Sequence, residues 1–247
     1  MKIIVAENFE HMSRLAADLF IGEACRDGRV NVSITSGNTP LGAYSLIIDE
    51  MAKVGGFKNV HYYNFDEIPI LNPEGKFAFY LTLDFLTKVF YGPASVSPEQ
   101  IHHLNEKNYQ DFEGRLASDG GIDLMLMGLG GDGHFCGNMP QAARFNAGIY
   151  KVNLSDEYSW FKAFREILGE NTVKEMVTMG PRTVLGVKRL VMIVNGKQKA
   201  EILKKCVEGE VTESIPASVL KLHHNFTLIA DREAASMLDR AVLQKYA

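Results

Sequence analysis

Leu124-Met-Leu-Met-Gly128-Leu-Gly-Gly-Asp132-Gly-His134-Phe-Cys-Gly-Asn138-Met-Pro140 is the stretch on which the fold turns. With Ile122 just upstream, its apolar opening predicts a strand covered on both faces, as in the centre of a parallel sheet. The run ends in four glycines within six residues, where no Cβ bars a sharp turn or the close approach of a ligand. An acid and a histidine two positions apart follow. Open α/β sheets bind ligands outside the carboxyl ends of their strands, so Asp132 and His134 stand where a small-molecule site is expected.

Outward from this stretch, short β-branched and aliphatic runs alternate with longer helical ones. The strand candidates are Lys2–Ala6, Asn31–Thr35, Val60–Phe65, Ile122–Met127, Arg189–Asn195 and Phe226–Ala230. Apolar residues at three- and four-residue spacing predict helices over Glu10–Arg26, Pro40–Val54, Gln198–Glu208 and Arg232–Tyr246. Such alternation implies βαβ units and a mostly parallel sheet. The reading is an α/β, doubly wound, Rossmann-like sheet flanked by helices, in one domain over residues 1–247, since no linker, repeat or low-complexity tract divides the chain. Tyr150–Glu175 fits this pattern least and reads as a lid or an insertion around Ser159-Trp160-Phe161.

The 247 residues suffice for a substantial core, with 46% apolar and 23% charged residues. A net charge of −4 leaves no basic footprint for nucleic acid, so an anionic ligand must be held by local groups. Cys25, Cys136 and Cys206 are scattered, with no CxxC pair, and read as reduced thiols of a cytoplasmic protein. Met1-Lys-Ile-Ile-Val-Ala enters a strand at once, and nothing reads as a signal peptide or membrane span.

Five motifs carry candidate chemistry. Gly128-Leu-Gly130-Gly-Asp-Gly133 fits GxGxxG literally, but a dinucleotide site needs a helix opening at the third glycine. Asn138-Met139-Pro140 would interrupt that helix, and Asp132 would repel a pyrophosphate. Asp132 and His134 read better as an acid/base pair, the carboxylate orienting an imidazole that titrates near neutrality; a capping Asp and a packed His would be the plainer alternative. Thr35-Ser36-Gly37-Asn38-Thr39-Pro40 leads from a strand into a helix, and free backbone N–H groups with the helix dipole make such a turn a phosphate cradle, although simple N-capping would use the same residues. Tyr62-Tyr-Asn-Phe65-Asp66-Glu67 ends a strand in two carboxylates that point opposite ways, so one faces the cleft and can act as a general base. Gly196-Lys-Gln-Lys199-Ala200 puts a lysine at a helix start, where it can clamp a phosphate. Arg165 and Arg182 are further anion-ligand candidates. The tandem pairs His102-His103 and His223-His224 lack helical metal-site spacing, so no metal and no cofactor is expected.

Together these residues resemble the glucosamine-6-phosphate deaminase/isomerase and 6-phosphogluconolactonase superfamily, essentially end to end. Gly128-Leu-Gly-Gly-Asp132-Gly-His134 is similar to the Gly-x-Gly-x-Asp-Gly-His signature, its most specific element. Ser36-Gly37-Asn38-Thr39-Pro40 resembles the phosphate turn, Asn64-Phe65-Asp66-Glu67 the deaminases' Asp-Glu turn, and Gly196-Lys-Gln-Lys199-Ala200 the Gly-x-x-Lys-Ala motif. The resemblance implies Asp66 as the C1/C2 proton base, His134 as an aid to ring opening and Asp132 as its orienting partner. It implies Ser36, Gly37, Asn38, Thr39, Glu67, Gly130 and Lys199 as substrate- and phosphate-binding residues. A small sugar phosphate would be the ligand, and relatives of this kind often form homo-oligomers. Two departures stand out. Deaminases continue Asp-Gly-His-x-x-Phe-Asn-Glu-Pro, where this chain has Met139 for the glutamate of the ring-opening relay, so Met139→Glu is expected to raise a deaminase rate. Lactonases carry Asp-Glu-Arg, where this chain has Ile68. Asp66-Glu67 and Asn138-x-Pro140 lean towards the deaminase side, with lactone hydrolysis or sugar-phosphate sensing as alternatives.

Overall fold

The computed structural model describes residues 1–247 apart from Glu170 and Thr172, and the side chains of all of these except Ser159 and Ala163. In chain order the strands are β1 (Lys2–Ala6), β2 (Val30–Ile34), β3 (Val60–Asn64), β4 (Asp66–Glu67), β5 (Pro69–Leu71) and β6 (Phe77–Tyr80). They continue as β7 (Ile101–His102), β8 (Leu124–Met127), β9 (Ile149–Asn153), β10 (Glu175–Met179), β11 (Arg189–Val194) and β12 (Phe226–Asp231). The helices are α1 (Phe9–Ala24), α2 (Leu41–Val54), α3 (Leu81–Leu86), α4 (Tyr109–Ser118), α5 (Ser159–Leu168), α6 (Pro181–Leu185), α7 (Ala200–Glu208) and α8 (Arg240–Tyr246).

Seven strands pair in the order β1-β12-β11-β8-β2-β3-β7, every neighbouring pair parallel. The expected doubly wound α/β sheet is therefore present. After β2 the chain builds outward through β3 to β7, then returns to β8 and builds the other way through β11 and β12. The order thus reverses between β2 and β8, where ligands of such sheets bind. Strand β8 shows why the sheet is covered twice. Leu124 and Leu126 enter the core layer that holds Val32, Ile34 and Tyr62, while Met125 and Met127 enter the opposite layer with Tyr63, Leu190 and Met192. Alternate side chains point to opposite faces, so an all-apolar strand needs apolar layers on both.

Helix α1 shows the matching helical logic. Asn8 caps it, its side chain accepting from the His11 amide at 2.8 Å, and Met12, Ala16, Ala17, Phe20 and Ala24 form its buried stripe. One helix expectation needs correction. Arg232–Tyr246 is not continuous, because the Asp231 carboxylate accepts from the Ala234 amide (2.7 Å), which tightens the start into a 3-10 turn at Ala234–Met237. Extended backbone at Leu238 and Asp239 then precedes α8.

Tyr150–Glu175 divides into β9, α5 and the start of β10; its residues Glu170 and Thr172 lie outside the described residues. A three-stranded antiparallel sheet β4-β10-β9 stands beside the carboxyl end of the main sheet, because β4 follows directly from β3. Its apolar packing forms a third core cluster around Ile68, Ile70, Met139, Val152, Phe161 and Met176.

Candidate active site

The turn after β2 opens onto the switch point. Pro40 occupies the N-cap position of α2 with φ −82° and ψ −7°, and no side chain caps that end. The Leu41 amide donates to the Asn38 carbonyl at 3.3 Å, while no side-chain cap is spent on this helix end, an arrangement compatible with a phosphate cradle. The Tyr44 hydroxyl donates to the Thr35 carbonyl at 2.6 Å and anchors the turn from below. Across the cleft, Lys199 precedes α7 and donates from Nζ to the Leu129 carbonyl at 2.7 Å. Burial pulls its pKa below the usual lysine range, while the Asp132 charge works the other way.

The loop after β8 folds back on itself. The Gly130 amide donates to the His134 carbonyl at 2.8 Å, and the Gly133 amide to the Gly130 carbonyl at 3.1 Å. No helix opens at Gly133, which removes the structural requirement for a dinucleotide fingerprint. Gly130 has to be glycine, since a Cβ there would overlap the His134 ring. Gly133 sits at φ +89° with Ile215 close by, a position closed to other residues. His134 Nδ1 lies 2.6 Å from Asp132 Oδ1, which also accepts from the His134 amide at 3.1 Å. Burial alone would raise the Asp132 pKa, but the hydrogen bond and charge of His134 outweigh it and hold the carboxyl below its ordinary value. An ionised acceptor fixes the proton on Nδ1, so Nε2 is the nitrogen free to exchange protons.

At the end of β3 the two acids part. Asp66 faces the cleft, half-buried; burial first, and the nearby Glu67 charge second, push its pKa up to about 7, against a weak hydrogen bond from Thr82 at 3.4 Å. Glu67 points away and is fully buried. Its carboxylate accepts from the amides of Ile68 (2.9 Å), Thr82 (2.7 Å) and Leu83 (3.0 Å) and lies 2.7 Å from His103 Nε2. Glu67 thus caps α3 and is not among the cavity-lining residues, contrary to the expectation that it binds substrate. Strand β10 holds the two motifs together. Thr178 pairs with Asp66 in register, its hydroxyl accepts from the Gly137 amide at 2.8 Å, and the Met179 carbonyl accepts from Asn138 Nδ2 at 2.9 Å.

These elements enclose a cavity of about 320 Å³. Ser36, Gly37, Asn38, Thr39, Asp66, Gly130, His134 and Lys199 all line it. Asp132 lies behind His134 and faces a neighbouring pocket with Glu157 and Tyr158. Phe65, Phe135 and Cys136, which the sequence reading did not single out as site residues, also line the cavity, and so does Trp160, read from sequence as part of a lid or an insertion. Trp160, brought by α5, sets its ring 6.0 Å from that of His134. Cys136 takes φ +48°, and burial beside Asp66 raises its thiol pKa well above the ordinary value. Among the described residues no arginine lines the cavity. Arg165 pairs with Asp156 at 2.8 Å and Arg182 with Glu113 at 2.8 Å. Met139 is 1% exposed and packs in the third core cluster.

Residues 8–229 match the family of glucosamine-6-phosphate isomerases/6-phosphogluconolactonase. Glucosamine-6-phosphate deaminase of Thermoanaerobacter sp. (strain X514) is 31% identical, over 96% of this chain and 95% of that one. Glucosamine-6-phosphate deaminase of Shouchella clausii (strain KSM-K16) is 32% identical, over 96% and 97%. Among solved structures, a monomeric glucosamine-6-phosphate deaminase of the NagB superfamily superposes with a TM-score of 0.84 at 28% identity, covering 96% of this chain and all of that one. A 6-phosphogluconolactonase from Trypanosoma cruzi shares the fold, with a TM-score of 0.75 at 18% identity over 95% and 96% of the two chains.

Proposed function

The chain belongs to the glucosamine-6-phosphate isomerase/6-phosphogluconolactonase family, and on that premise we propose a deaminase/isomerase-type enzyme that moves protons at C1 and C2 of a hexose or hexosamine 6-phosphate. One observation carries the reading. A carboxylate with a pKa of about 7, Asp66, faces the same cavity as a helix N-terminus that no side chain caps and a histidine whose other nitrogen is pinned. The α2 amides, Ser36, Gly37, Asn38, Thr39 and Lys199 hold the phosphate, leaving the other end of the sugar between Asp66 and His134. Asp66 takes the C2 proton, and the C–H electron pair becomes the C1=C2 bond as the carbonyl pair moves to O1. His134 Nε2–H protonates O1, and Asp132 stabilises the imidazolium from which that proton comes. Asp66 then returns its proton to C1. With oxygen at C2, His134 recovers its proton from O2 and a ketose forms. With nitrogen there, water adds to the iminium carbon, His134 takes its proton, and ammonia leaves.

Free Cys25, Cys136 and Cys206 and a phosphorylated substrate support a cytoplasmic setting. Among the described residues, no helix is long and apolar enough to cross a membrane. Proton NMR of glucosamine 6-phosphate in D₂O, following C2–H exchange and ammonium release, tests the proposal. Wild type is expected to show both, and Asp66→Asn neither, a loss of at least about 10²-fold, with sugar-phosphate binding kept. An Asp66→Asn variant that still opens a 6-phosphogluconolactone would instead assign lactone hydrolysis, with His134 as the base for water.

A further inference from the structure

A hexose phosphate has polar edges and an apolar C–H side, and a site that holds it needs a surface for each. The Ser36–Pro40 turn, Lys199, Asp66 and His134 supply the polar half of this cavity. Among the described residues, the phenyl and indole rings that line it belong to Phe65, Phe135 and Trp160. Phe65 is 3% and Phe135 1% exposed, and both are spent on the core beneath the cleft. Trp160 is only half-buried, with its ring 6.0 Å from that of His134 and tilted to it by 53°. It is the aromatic surface left open to a ligand.

The helix that carries Trp160 is anchored by other residues. In α5, Phe161, Phe164 and Leu168 recur at spacings of three and four and lay one apolar stripe on the third core cluster, with Phe161 fully buried. Trp160 stands one residue earlier, about 100° round the helix. Its ring touches the edge of that cluster, meets the Phe161 ring edge-on at 5.7 Å, and continues into the cavity wall. The indole Nε1–H is shielded from solvent and has no acceptor among the described residues, whereas a buried tryptophan N–H ordinarily finds one. An indole nitrogen donates and never accepts, so the partner it lacks is an acceptor such as an oxygen. The torsion that turns an indole about its stem is soft. A modest turn of a ring already lining the cavity therefore presents the N–H to an oxygen bound there.

We infer that Trp160 contacts the substrate: its indole face covers the C–H side of the sugar beside His134, and its Nε1–H donates to an oxygen of the same sugar. This rests on the deaminase/isomerase reading above for the identity of the ligand and adds the residue that the apolar side of that ligand meets. One contact then accounts for the open face of the ring and for its unpaired donor together.

The chain has a single tryptophan, so its emission reports this residue alone. The test titrates the full-length protein with 2-amino-2-deoxyglucitol 6-phosphate, which lacks the C1 carbonyl and cannot turn over, and reads tryptophan emission alongside calorimetry. Emission is expected to change saturably, with the Kd that calorimetry gives. Trp160→Phe keeps a ring against Phe161 and removes the donor, and it should weaken binding about two- to tenfold. Trp160→Ala removes both and should weaken it at least about tenfold, with kcat/KM for C2–H exchange on glucosamine 6-phosphate falling in the same order. Trp160→Phe carries the test if Trp160→Ala does not fold. Flat emission while calorimetry shows the site filled, or a folded Trp160→Phe binding as tightly as wild type, would overturn the inference; C2–H exchange by wild type would then leave the proposed function standing. Changed emission and weakened variants without any C2–H exchange by wild type would keep the contact and remove the proposed function. No binding of the glucitol or of glucosamine 6-phosphate would remove both.

Discussion

On the proposed reading Asp66 is the carboxylate that takes the C2 proton, and burial lifts it well above the ordinary carboxylate range. As a base it has to be ionised, and its pKa is about 7. Activity is therefore expected to fall about tenfold per pH unit below 7; a kcat/KM profile flat from pH 5 to 8 would sink the assignment. The same shift has a sign in stability. A carboxyl raised above its unfolded value binds its proton more tightly when folded, so its effect favours the fold at low pH and is lost as pH rises from about 4 to 7. Asp66→Asn should accordingly raise Tm at pH 8, by about 2–4 °C per kcal/mol relieved, and leave it nearly unchanged at pH 4. At this scale the sequence was legible where chemistry is local. Asp132, His134 and Lys199 sit beside glycines and strand ends that announce a site. Glu67 misled because its partners, His103 and the amides of Thr82 and Leu83, arrive from other elements, and no local pattern marks such a meeting.

Among the elements, β10 and α3 do the positioning. Helix α3 is six residues long, too short to stand alone, and Glu67 supplies its N-terminal acceptor. Glu67→Ala should strand three amides and His103 and cost roughly 2–4 kcal/mol by urea denaturation; a loss below about 0.5 kcal/mol would contradict the capping role. Met139→Glu was expected to restore a proton relay, but Met139 belongs to a core cluster. A carboxylate there would face Ile68, Ile70 and Phe161, so the variant should lose roughly 3 kcal/mol or more and gain no activity. A folded Met139→Glu enzyme with a faster turnover would show that the turn can swing outward. The long parallel strands were readable from their continuous apolar runs. The short strands β4 and β7 and the antiparallel β9 and β10 were not, since two- to five-residue segments with mixed polarity owe their conformation to their partners.

Across the whole molecule, the strand order explains why motifs from residues 35, 66, 130 and 199 converge. Strands β2, β3, β8 and β11 run parallel and side by side, so the loop that leaves each one emerges at the same edge. Periodicity could announce a parallel sheet, yet not this order, because nothing in the spacing of apolar residues says that β1 lies beside β12. That pairing joins Lys2 to Thr227 and Ala6 to Asp231. Among the described residues, β1 has its hydrogen-bonding edge matched only by β12, far later in the chain. At synthesis rates of about 5–20 residues per second, β1 waits on the order of tens of seconds for its neighbour. Hydrogen exchange during refolding should find the amides of β1 and β12 protected together and after those of β2, β3 and β8; early protection of β1 would refute this. The ligand pocket, closed by the strands in between, is then finished before the sheet's outer margin, and a nascent chain would be able to meet a sugar phosphate while β1 is still unpaired.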